Sequence, residues 1–364
     1  MSTVPAPHTG LRGLVDEGVY LLIRTALAGM GSIPLEPCVE AARGIGRVYA
    51  HFPMNRKRVA RAERNLAVAY PGWDQEQIRE YAGYAYEHLF HLGVEMVHGP
   101  RLLTDDGWHR HLDLADVVPA VRTLVSAGPC LLITGHCGNW EMLGYTVAFL
   151  GFPMHALYRP LDLAPLDRWV RRTRERRGLT LISKFGAVRR LPPLVAAGVP
   201  IGFVADQNGG DRGVFVPFFN RLSSGYKSIG LLAMQFQTSV ICAMARRLRP
   251  EERTSPGLGY RVELVDCFGP GDWGEHPDPL FYLTARYRRA IELMVRRAPE
   301  QFLWMHRIWR SRPRHERLDR RFPAALEEKL RLLPWLSDAD VEAIKDHSAR
   351  DARTLAETGQ TRLS

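Results

Sequence analysis

A histidine and a glutamate stand five positions apart in the stretch LLITGHCGNWEMLGY, residues 131–145. The apolar start of this stretch predicts a buried strand that ends at Gly135, and Asn139 is a suitable N-cap for a helix that follows. In one continuous helix, five positions would separate the two side chains by about 140°, but a turn can bring His136 and Glu141 together. A carboxylate beside an imidazole fixes its tautomer and makes it a better base. The pair is therefore a candidate general base with its orienting acid, and an ordinary capping or polar contact is the alternative.

Other nucleophiles and cofactor motifs are weakly represented. Cys137 adjoins the histidine, but neighbours on a turn usually point apart, so we interpret it as a bystander. The five cysteines are scattered without metal-ligand spacing, which favours reduced thiols and a cytosolic-facing location. The sequence has no G-x-S-x-G elbow, Walker A loop or G-x-G-x-x-G motif. We therefore predict no cofactor and no metal.

Further polar residues follow predicted strands. Arg159 comes directly after one strand, and Asp206 opens a polar turn after the strand at 200–205. The carboxyl ends of strands form the sites of open α/β sheets, although a simple turn also explains Asp206. His306 lies in a largely apolar run near the end of the domain, and we interpret it as structural.

The elements that must position these residues alternate between strand and helix. Strands are predicted at 130–134, 154–158, 179–184, 200–205, 214–218, 238–246 and 260–266. Helices are predicted between them at 139–150, 163–177, 186–197, 226–236 and 277–297, with a short helix before them near 114–126. This alternation predicts an α/β fold in which a mixed central sheet is flanked by helices.

The chain is basic, with a formal charge of +10 and a pI near 9.6. This balance favours an anionic partner: nucleic acid, a membrane face, or an acidic or phosphorylated carrier or substrate. Basic residues concentrate at 56–69 and in the predicted helix at 163–177, where Arg168, Arg171 and Arg172 form a candidate contact face. Stacking aromatic residues are not interleaved with them, so we predict no nucleic-acid partner. A solvated helix face is the alternative.

The chain divides into three parts by composition. Residues 1–52 are predicted to form a tail and apolar, membrane-associating helices. Their hydrophobic stretch at 19–35 contains Arg24 and is shorter than the ~20 apolar residues of a spanning helix, so it suits a monotopic helix better. Residues 53–315 form the predicted catalytic domain, and residues 316–364 a polar, helical and peripheral tail.

Five motifs occur in the order found in one known family. They are RNLAVAYP from Arg64, TGHCGNWE, the YRP segment, ADQN followed by GVFVPFF, and PEQFLWMHRIWRSRP. Over roughly residues 40–315, the chain resembles the bacterial late acyltransferases of lipid A biosynthesis, of the lauroyl and myristoyl type. That family is part of the glycerolipid acyltransferase superfamily, which uses an H-x4-D or H-x4-E pair.

The resemblance implies an acyl carrier protein as donor and a hydroxyl of a phosphorylated lipid A precursor as acceptor. It also implies that the protein binds an anionic membrane surface, the cytoplasmic face of the cell inner membrane, and acts there. His136 would be the general base and Glu141 its orienter. Because acyl transfer passes through a tetrahedral oxyanion, we take Arg159 and the backbone N–H groups near Gly138 and Asn139 as candidate oxyanion donors. Asp206 would belong to the same site, holding Arg159 or the sugar, and the apolar segment at 214–219 could contribute to an acyl-chain groove.

Two alternatives to this assignment are open at this point. The first is a related acyltransferase that acts on another glycolipid or membrane lipid, such as a phosphatidylinositol mannoside-like acceptor. The second is a non-enzymatic basic protein that binds membranes.

Overall fold

A computed structural model describes residues 10–104, 106–126, 128–175, 178–253 and 256–363. Its strands are β1 (Leu112–Ala115), β2 (Cys130–Thr134), β3 (Met154–Tyr158), β4 (Leu179–Ser183), β5 (Ile201–Val204), β6 (Val214–Phe218), β7 (Arg221–Gly225), β8 (Ser239–Arg247) and β9 (Tyr260–Phe268). Its helices are α1 (Leu11–Ser32), α2 (Leu35–Ala50), α3 (Arg56–Ala69), α4 (Gln75–Leu102), α5 (Val118–Val125), α6 (Trp140–Phe149), α7 (Ala164–Glu175), α8 (Ala187–Ala196), α9 (Lys227–Phe236), α10 (Pro270–Trp273), α11 (Pro279–Arg297), α12 (Arg314–Arg317), α13 (Ala324–Arg331) and α14 (Asp338–Thr358).

Seven of these strands form one central sheet in the order β1-β9-β8-β2-β5-β3-β4. The β8–β9 pair is antiparallel and the other neighbouring pairs are parallel, so the predicted mixed sheet flanked by helices is confirmed. All five residues of β2 are buried, as expected of an apolar strand between two helical layers. Strands β2, β5 and β3 lie side by side, and their carboxyl ends therefore meet at one edge of the sheet.

Two local differences from the sequence expectation have simple causes. The predicted strand at 214–218 is present, but it pairs with β7 in a separate antiparallel hairpin outside the central sheet. Phe219 and Asn220 join the two strands with φ angles of 51° and 50°, as in a two-residue hairpin turn. The region expected to be helical from 114 begins instead with the short edge strand β1, and its helix α5 starts at Val118.

The amino-terminal segment forms two helices that separate at Ile33 and Pro34. Arg24 of α1 lies over the Trp169 ring of α7, 4.7 Å from its centroid, so α1 contacts the helix that follows β3. Residues 1–9 of the predicted tail lie outside the described residues. Within the described part of the chain, none of the helices combines the length and apolar character that crossing a membrane requires.

The carboxyl-terminal helices pack on the main core. Leu330, Val341 and Ile344 are buried in the same hydrophobic cluster as residues of β2. Asp351 of α14 accepts hydrogen bonds from Arg221 on β7 and forms an ion pair with buried Arg312 at 2.7 Å. Apolar burial and paired charges together therefore fix this polar segment against β7 and the main hydrophobic core.

Candidate active site

His136 and Asp206 meet at the carboxyl edge of the sheet. His136 follows β2 after a single glycine, Asp206 follows β5 after a single alanine, and β2 and β5 are neighbours. Asp206 Oδ1 lies 2.7 Å from His136 Nδ1 and also accepts a hydrogen bond of 3.1 Å from the His136 backbone N–H. This double contact fixes both the ring and its backbone. It leaves Nε2 as the ring nitrogen available to a substrate.

Asp206 is fully buried and remains ionised. Burial alone would raise the pKa of its carboxyl group, but the adjacent His136 and His306 outweigh this effect and hold the pKa well below its usual value. Below Asp206, the buried guanidinium of Arg288 donates hydrogen bonds to the carbonyl oxygens of Ala205 and Asp206, at 3.1 and 2.6 Å. Arg288 therefore fixes the backbone that carries the carboxylate.

His306 faces the other oxygen of the same carboxylate. Its Nδ1 lies 3.5 Å from Asp206 Oδ2, and its ring centroid is 4.6 Å from that of His136. Burial lowers the pKa of His306, which favours a neutral ring. The sequence favours a structural role for His306, whereas its position next to Asp206 puts it beside the proposed base. One ligand atom each of His136, Asp206 and His306 lie within 4.8 Å of one another, so this group has the chemistry to hold a metal ion.

Glu141 lies in the first turn of α6 and lines the same cavity as His136. Its carboxylate forms an ion pair with Arg174 of α7. Among the hydrogen bonds and ion pairs of the described residues, the orienting contact on His136 Nδ1 comes from Asp206, and none joins Glu141 to the ring. The structure therefore brings Glu141 near the base without the direct contact that the sequence predicts.

The cavity beside His136 has a volume of about 710 Å³. Its polar lining includes Glu141, Arg159, Arg174 and Gln207. Its apolar lining comes mainly from strands β2 to β5 and helix α6, and includes Leu132, Leu143, Met154, Ala156, Leu157, Leu179, Leu181 and Phe203. The apolar segment at 214–219 does not line this cavity. The cavity therefore joins a polar mouth to an apolar interior.

The turn between His136 and α6 is fixed by main-chain contacts. Gly138 has a φ angle of 63°, and a Cβ atom there would lie 2.1 Å from the carbonyl oxygen of Ala245. The Gly138 N–H donates to Gln301 O at 2.9 Å, and the Asn139 N–H donates to Ala245 O at 2.8 Å. Both N–H groups are thus engaged in this structure, so they are poorly placed to serve as the oxyanion donors expected from the sequence.

Asn139 is the N-cap of α6, as predicted. Its side-chain oxygen accepts hydrogen bonds from the N–H groups of Glu141 and Met142, at 3.0 and 3.1 Å. Its amide Nδ2 donates to the buried carboxylate of Glu95 at 3.0 Å. The same residue therefore starts the helix and ties the turn to α4.

A buried polar network behind this turn was not predicted from the sequence. Glu95 also accepts hydrogen bonds from Tyr260 at 2.6 Å and Arg247 at 3.1 Å, and His88 Nε2 lies 3.1 Å from Gly138 O. Burial would raise the pKa of Glu95, but Arg247 and a neighbouring histidine hold it well below its usual value. The sequence does contain a pattern that indicates this network, because His88, His91 and Glu95 recur at helical spacing on the buried face of α4.

Of the remaining predicted residues that the structure describes, Arg159 lines the cavity and the others do not. Arg159 follows β3, its side chain is 67% exposed, and it lies 4.0 Å from Asp162. Among the hydrogen bonds and ion pairs of the described residues, none joins it to Asp206. On α7, Arg168 pairs with Glu17 of α1, Arg171 pairs with Glu175, and Arg172 is exposed. Arg176 and Arg177 of the same predicted helix lie outside the described residues.

Cys137 is buried, and burial raises the pKa of its thiol well above the usual value, which disfavours a thiolate nucleophile.

A histidine held by a buried carboxylate at the wall of an apolar cavity is suited to deprotonating a hydroxyl beside a long apolar group, the chemistry of an acyltransferase. The chain belongs to the bacterial lipid A biosynthesis acyltransferase family, whose sequence model matches residues 11–311. The protein is therefore an acyltransferase, which disfavours the alternative of a non-enzymatic binding protein.

Relatives support the same family. The chain is 25% identical to the lipid A biosynthesis palmitoleoyltransferase of Escherichia coli K12 over 273 residues, 74% of this chain and 83% of that protein. It is 22% identical to a lipid A biosynthesis acyltransferase of Haemophilus influenzae over 263 residues, 71% of this chain and 77% of that protein. It is 21% identical to the lipid A biosynthesis lauroyltransferase of E. coli K12 over 278 residues, 74% and 84% of the two chains.

Proposed function

We propose that the protein moves a fatty acyl chain from acyl carrier protein to a hydroxyl of a lipid A precursor, as part of lipopolysaccharide biosynthesis. The observation that carries this proposal is the 2.7 Å contact between His136 Nδ1 and buried Asp206, at the wall of an apolar cavity. The family and the names of its relatives support the acceptor class. The acyl carrier protein follows from the resemblance and from the basic charge of the chain.

His136 acts as general base through Nε2. It takes the proton of the acceptor hydroxyl as the oxygen attacks the thioester carbonyl, and the new C–O bond forms. The tetrahedral intermediate then collapses, the C–S bond breaks, and the imidazolium returns the proton to the departing thiolate. Asp206 keeps Nδ1 protonated and stabilises the imidazolium, as a triad carboxylate does. Because the thioester is already activated, no covalent enzyme intermediate is required.

Arg159 and Arg174 are cations at the cavity mouth. We assign Arg159 to the developing oxyanion, because its contact with exposed Asp162 is long, at 4.0 Å, and leaves the guanidinium available. Glu141 holds Arg174 by an ion pair and adds negative charge to the cavity that contains the imidazolium. Glu141 is thus proposed as a positioning residue, together with Gly138 and Asn139, which form the turn.

We place the acyl chain in the apolar part of the cavity. Its walls are formed by buried or half-buried aliphatic side chains from the sheet and α6. Burying an acyl chain there gains about 0.8 kcal/mol for each methylene. The same walls would set the chain length that fits best.

We further propose that α1 and α2 rest on an anionic membrane surface, at the cytoplasmic face of the inner membrane. Large apolar residues are exposed along these helices and the turn after them: Leu11, Leu14, Val15, Val19, Leu21, Leu22, Ile33, Ile45, Val48, Phe52 and Met54. A face of this kind suits a monotopic helix. The basic residues of α3 and α7 would add attraction to anionic lipids and to an acidic carrier.

Acyl transfer by purified protein tests the main proposal. Acyl carrier protein charged with a labelled acyl chain serves as donor and a lipid A precursor as acceptor, and the acylated product is measured. His136→Ala should abolish transfer, whereas Cys137→Ala, which changes the buried neighbour, should retain it. Full activity of His136→Ala would contradict the mechanism.

The other acceptor class has its own test. A closely related acyltransferase could act on a different glycolipid, such as a phosphatidylinositol mannoside-like lipid, with the same residues. Mass spectrometry of the lipids of a deletion strain separates the two. Unchanged lipid A acylation together with a missing acyl chain on another glycolipid would favour the alternative acceptor.

A further inference from the structure

A strongly basic groove is lined in part by helix α3 and by the segment that follows α11. We call it the basic groove; it has a volume of about 840 Å³. Its cationic lining includes six residues: Arg56, Lys57, Arg61, Arg64, Arg307 and Arg310. Within the described ranges of the chain, none of these six side chains forms an ion pair. The Nε atom of Arg61 is buried without a hydrogen-bond partner. Six cations in one concave surface that form no ion pair with a described residue favour an anionic ligand.

The positive charges of this groove lie close enough together to lower the pKa of one of its own side chains, Arg61. Burial lowers the pKa of Arg61, and the nearby positive charges of Arg307, Arg64 and Arg58 lower it further. A bound anion would relieve this repulsion. Phosphate suits the site because guanidinium groups bind its oxygens with paired hydrogen bonds.

The basic groove and the cavity beside His136, which we call the catalytic cavity, each share lining residues with a third cavity of about 690 Å³. Arg61, Arg307 and Arg310 line both the groove and this middle cavity. Arg159 and Gln207 line both the middle cavity and the catalytic cavity. A substrate that extends from His136 through the middle cavity would therefore place a distant anionic group in the groove.

One wall of the basic groove comes from the carboxyl-terminal segment, residues 359–363. Leu363 N–H donates to Arg310 O at 3.0 Å, and Arg362 forms a bridge with Ser311 and an ion pair with Asp211. Helix α14, which leads into this segment, is fixed by the ion pairs of Asp351. The family match ends at residue 311. This wall therefore belongs to a part of the chain outside that match.

We propose that the basic groove binds a phosphate group of a substrate, and that residues 359–363 complete this phosphate site. The substrate's identity rests on the proposed acyl transfer, whereas phosphate binding does not. The phosphate could belong to the acceptor lipid or to the phosphopantetheine arm of the carrier. Because these are different substrates, kinetics can distinguish them.

Direct binding is measured with inorganic pyrophosphate as probe, by calorimetry on the full-length protein. The double variant Arg64→Glu/Arg310→Glu should weaken binding at least about 10-fold. A variant with the same change of charge outside the groove, Arg122→Glu/Arg189→Glu, should bind within about 2-fold of wild type, because both side chains are exposed and neither lines the groove. Arg64→Lys/Arg310→Lys should retain most of the affinity. Equal weakening in the two charge-reversed variants, or none in either, would overturn the phosphate site.

The wall is tested by a protein that ends at Thr358. It should fold, because α14 and its ion pairs remain, and circular dichroism checks this. Its affinity for pyrophosphate should fall at least about 3-fold. If the affinity stays at the wild-type value, or if the shortened protein does not fold while Arg362→Ala binds normally, the role of the wall is wrong.

Steady-state acyl transfer identifies the source of the phosphate. The variant Arg64→Glu/Arg310→Glu is compared with wild type. If its KM for the acceptor rises while its KM for the donor is unchanged, the groove binds the phosphate of the acceptor. The reverse pattern supports the carrier arm, and two unchanged KM values overturn a role in substrate binding. If wild-type protein transfers no acyl chain but binds pyrophosphate as predicted, the proposed function fails and the phosphate site stands.

Discussion

Asp206 contacts His136 at two points, the ring Nδ1 at 2.7 Å and the backbone N–H at 3.1 Å, through a single carboxylate oxygen. One buried group therefore fixes the tautomer of the proposed base and the turn that carries it. The contact exists because β2 and β5 are parallel neighbours whose carboxyl ends reach the same edge of the sheet. Neither residue would have this partner if the strand order differed.

Asp206→Asn should lower kcat about 10⁴-fold, as the same change of a triad carboxylate does, with little change in KM. The amide keeps the size of the carboxylate but removes the charge that stabilises the imidazolium. Steady-state kinetics with both substrates measures kcat and KM separately, and circular dichroism checks the fold. A kcat close to wild type would show that His136 does not depend on this carboxylate.

Glu141→Gln tests whether Glu141 acts on His136 or on Arg174. Because its carboxylate pairs with Arg174, we expect a loss of only about 10-fold, near 1.4 kcal/mol. Arg174→Met should cause a similar loss, and the double variant should lose little more, because the two side chains form one interacting pair. A fall in kcat as large as that of Asp206→Asn would instead assign Glu141 to the base itself.

The sequence predicted the fold better than it predicted the contacts within the site. Strand and helix periods located β2, β5 and α6, because burial between two layers leaves long apolar runs. Asn139 was identifiable as a cap because capping is local. The partner of Glu141 was not, because Arg174 lies 33 residues away and meets it only in the folded protein. Strand β7 was missed because RLSSG has no apolar pattern.

Gly138→Ala should destabilise the protein more than positive φ alone explains. A non-glycine residue in the left-handed region costs about 1–2 kcal/mol, and here the new Cβ would also lie 2.1 Å from Ala245 O. Gly151 is a matched control, because its φ is 89° and a Cβ added there would have no other atom within 4 Å. Urea unfolding should show a loss of about 1–2 kcal/mol for Gly151→Ala and a clearly larger one for Gly138→Ala. Equal losses would mean that the turn can move away from Ala245.

Ala156→Phe should shorten the acyl chain that the enzyme prefers. Ala156 lines the apolar part of the catalytic cavity, and a larger side chain there takes up space. Each methylene that can no longer be buried costs about 0.8 kcal/mol. Competition between donors of different chain length, read by mass spectrometry of the product, measures the shift. Ala196→Phe, on the exposed surface of α8, should leave the preference unchanged, and an unchanged preference in Ala156→Phe would place the chain elsewhere.

His315 should make the attachment of the carboxyl-terminal helices sensitive to acid. Burial and the nearby charge of Arg312 lower the pKa of His315 to about 4. Below about pH 6.5 the unfolded chain takes up a proton at this residue and the native protein does not, so the free energy of unfolding falls as the pH falls towards about 4. The slope from one such histidine reaches about 1.4 kcal/mol per pH unit.

His315→Gln should therefore reduce the fall in the free energy of unfolding between about pH 6.5 and pH 4.5, because glutamine does not titrate. The reduction is at most the contribution of one proton bound by the unfolded chain. Ser348→Ala removes the hydroxyl that lies 2.9 Å from His315 Nε2 and leaves the imidazole in place. That variant should be less stable at neutral pH and should still lose stability between about pH 6.5 and pH 4.5, because the imidazole remains. Its slope should differ from the wild-type slope only through Glu316, to which the same hydroxyl donates. Urea unfolding followed by tryptophan fluorescence gives both quantities. If His315→Gln shows the wild-type slope, the imidazole takes up its proton equally in the native and unfolded states, and another group causes the acid sensitivity.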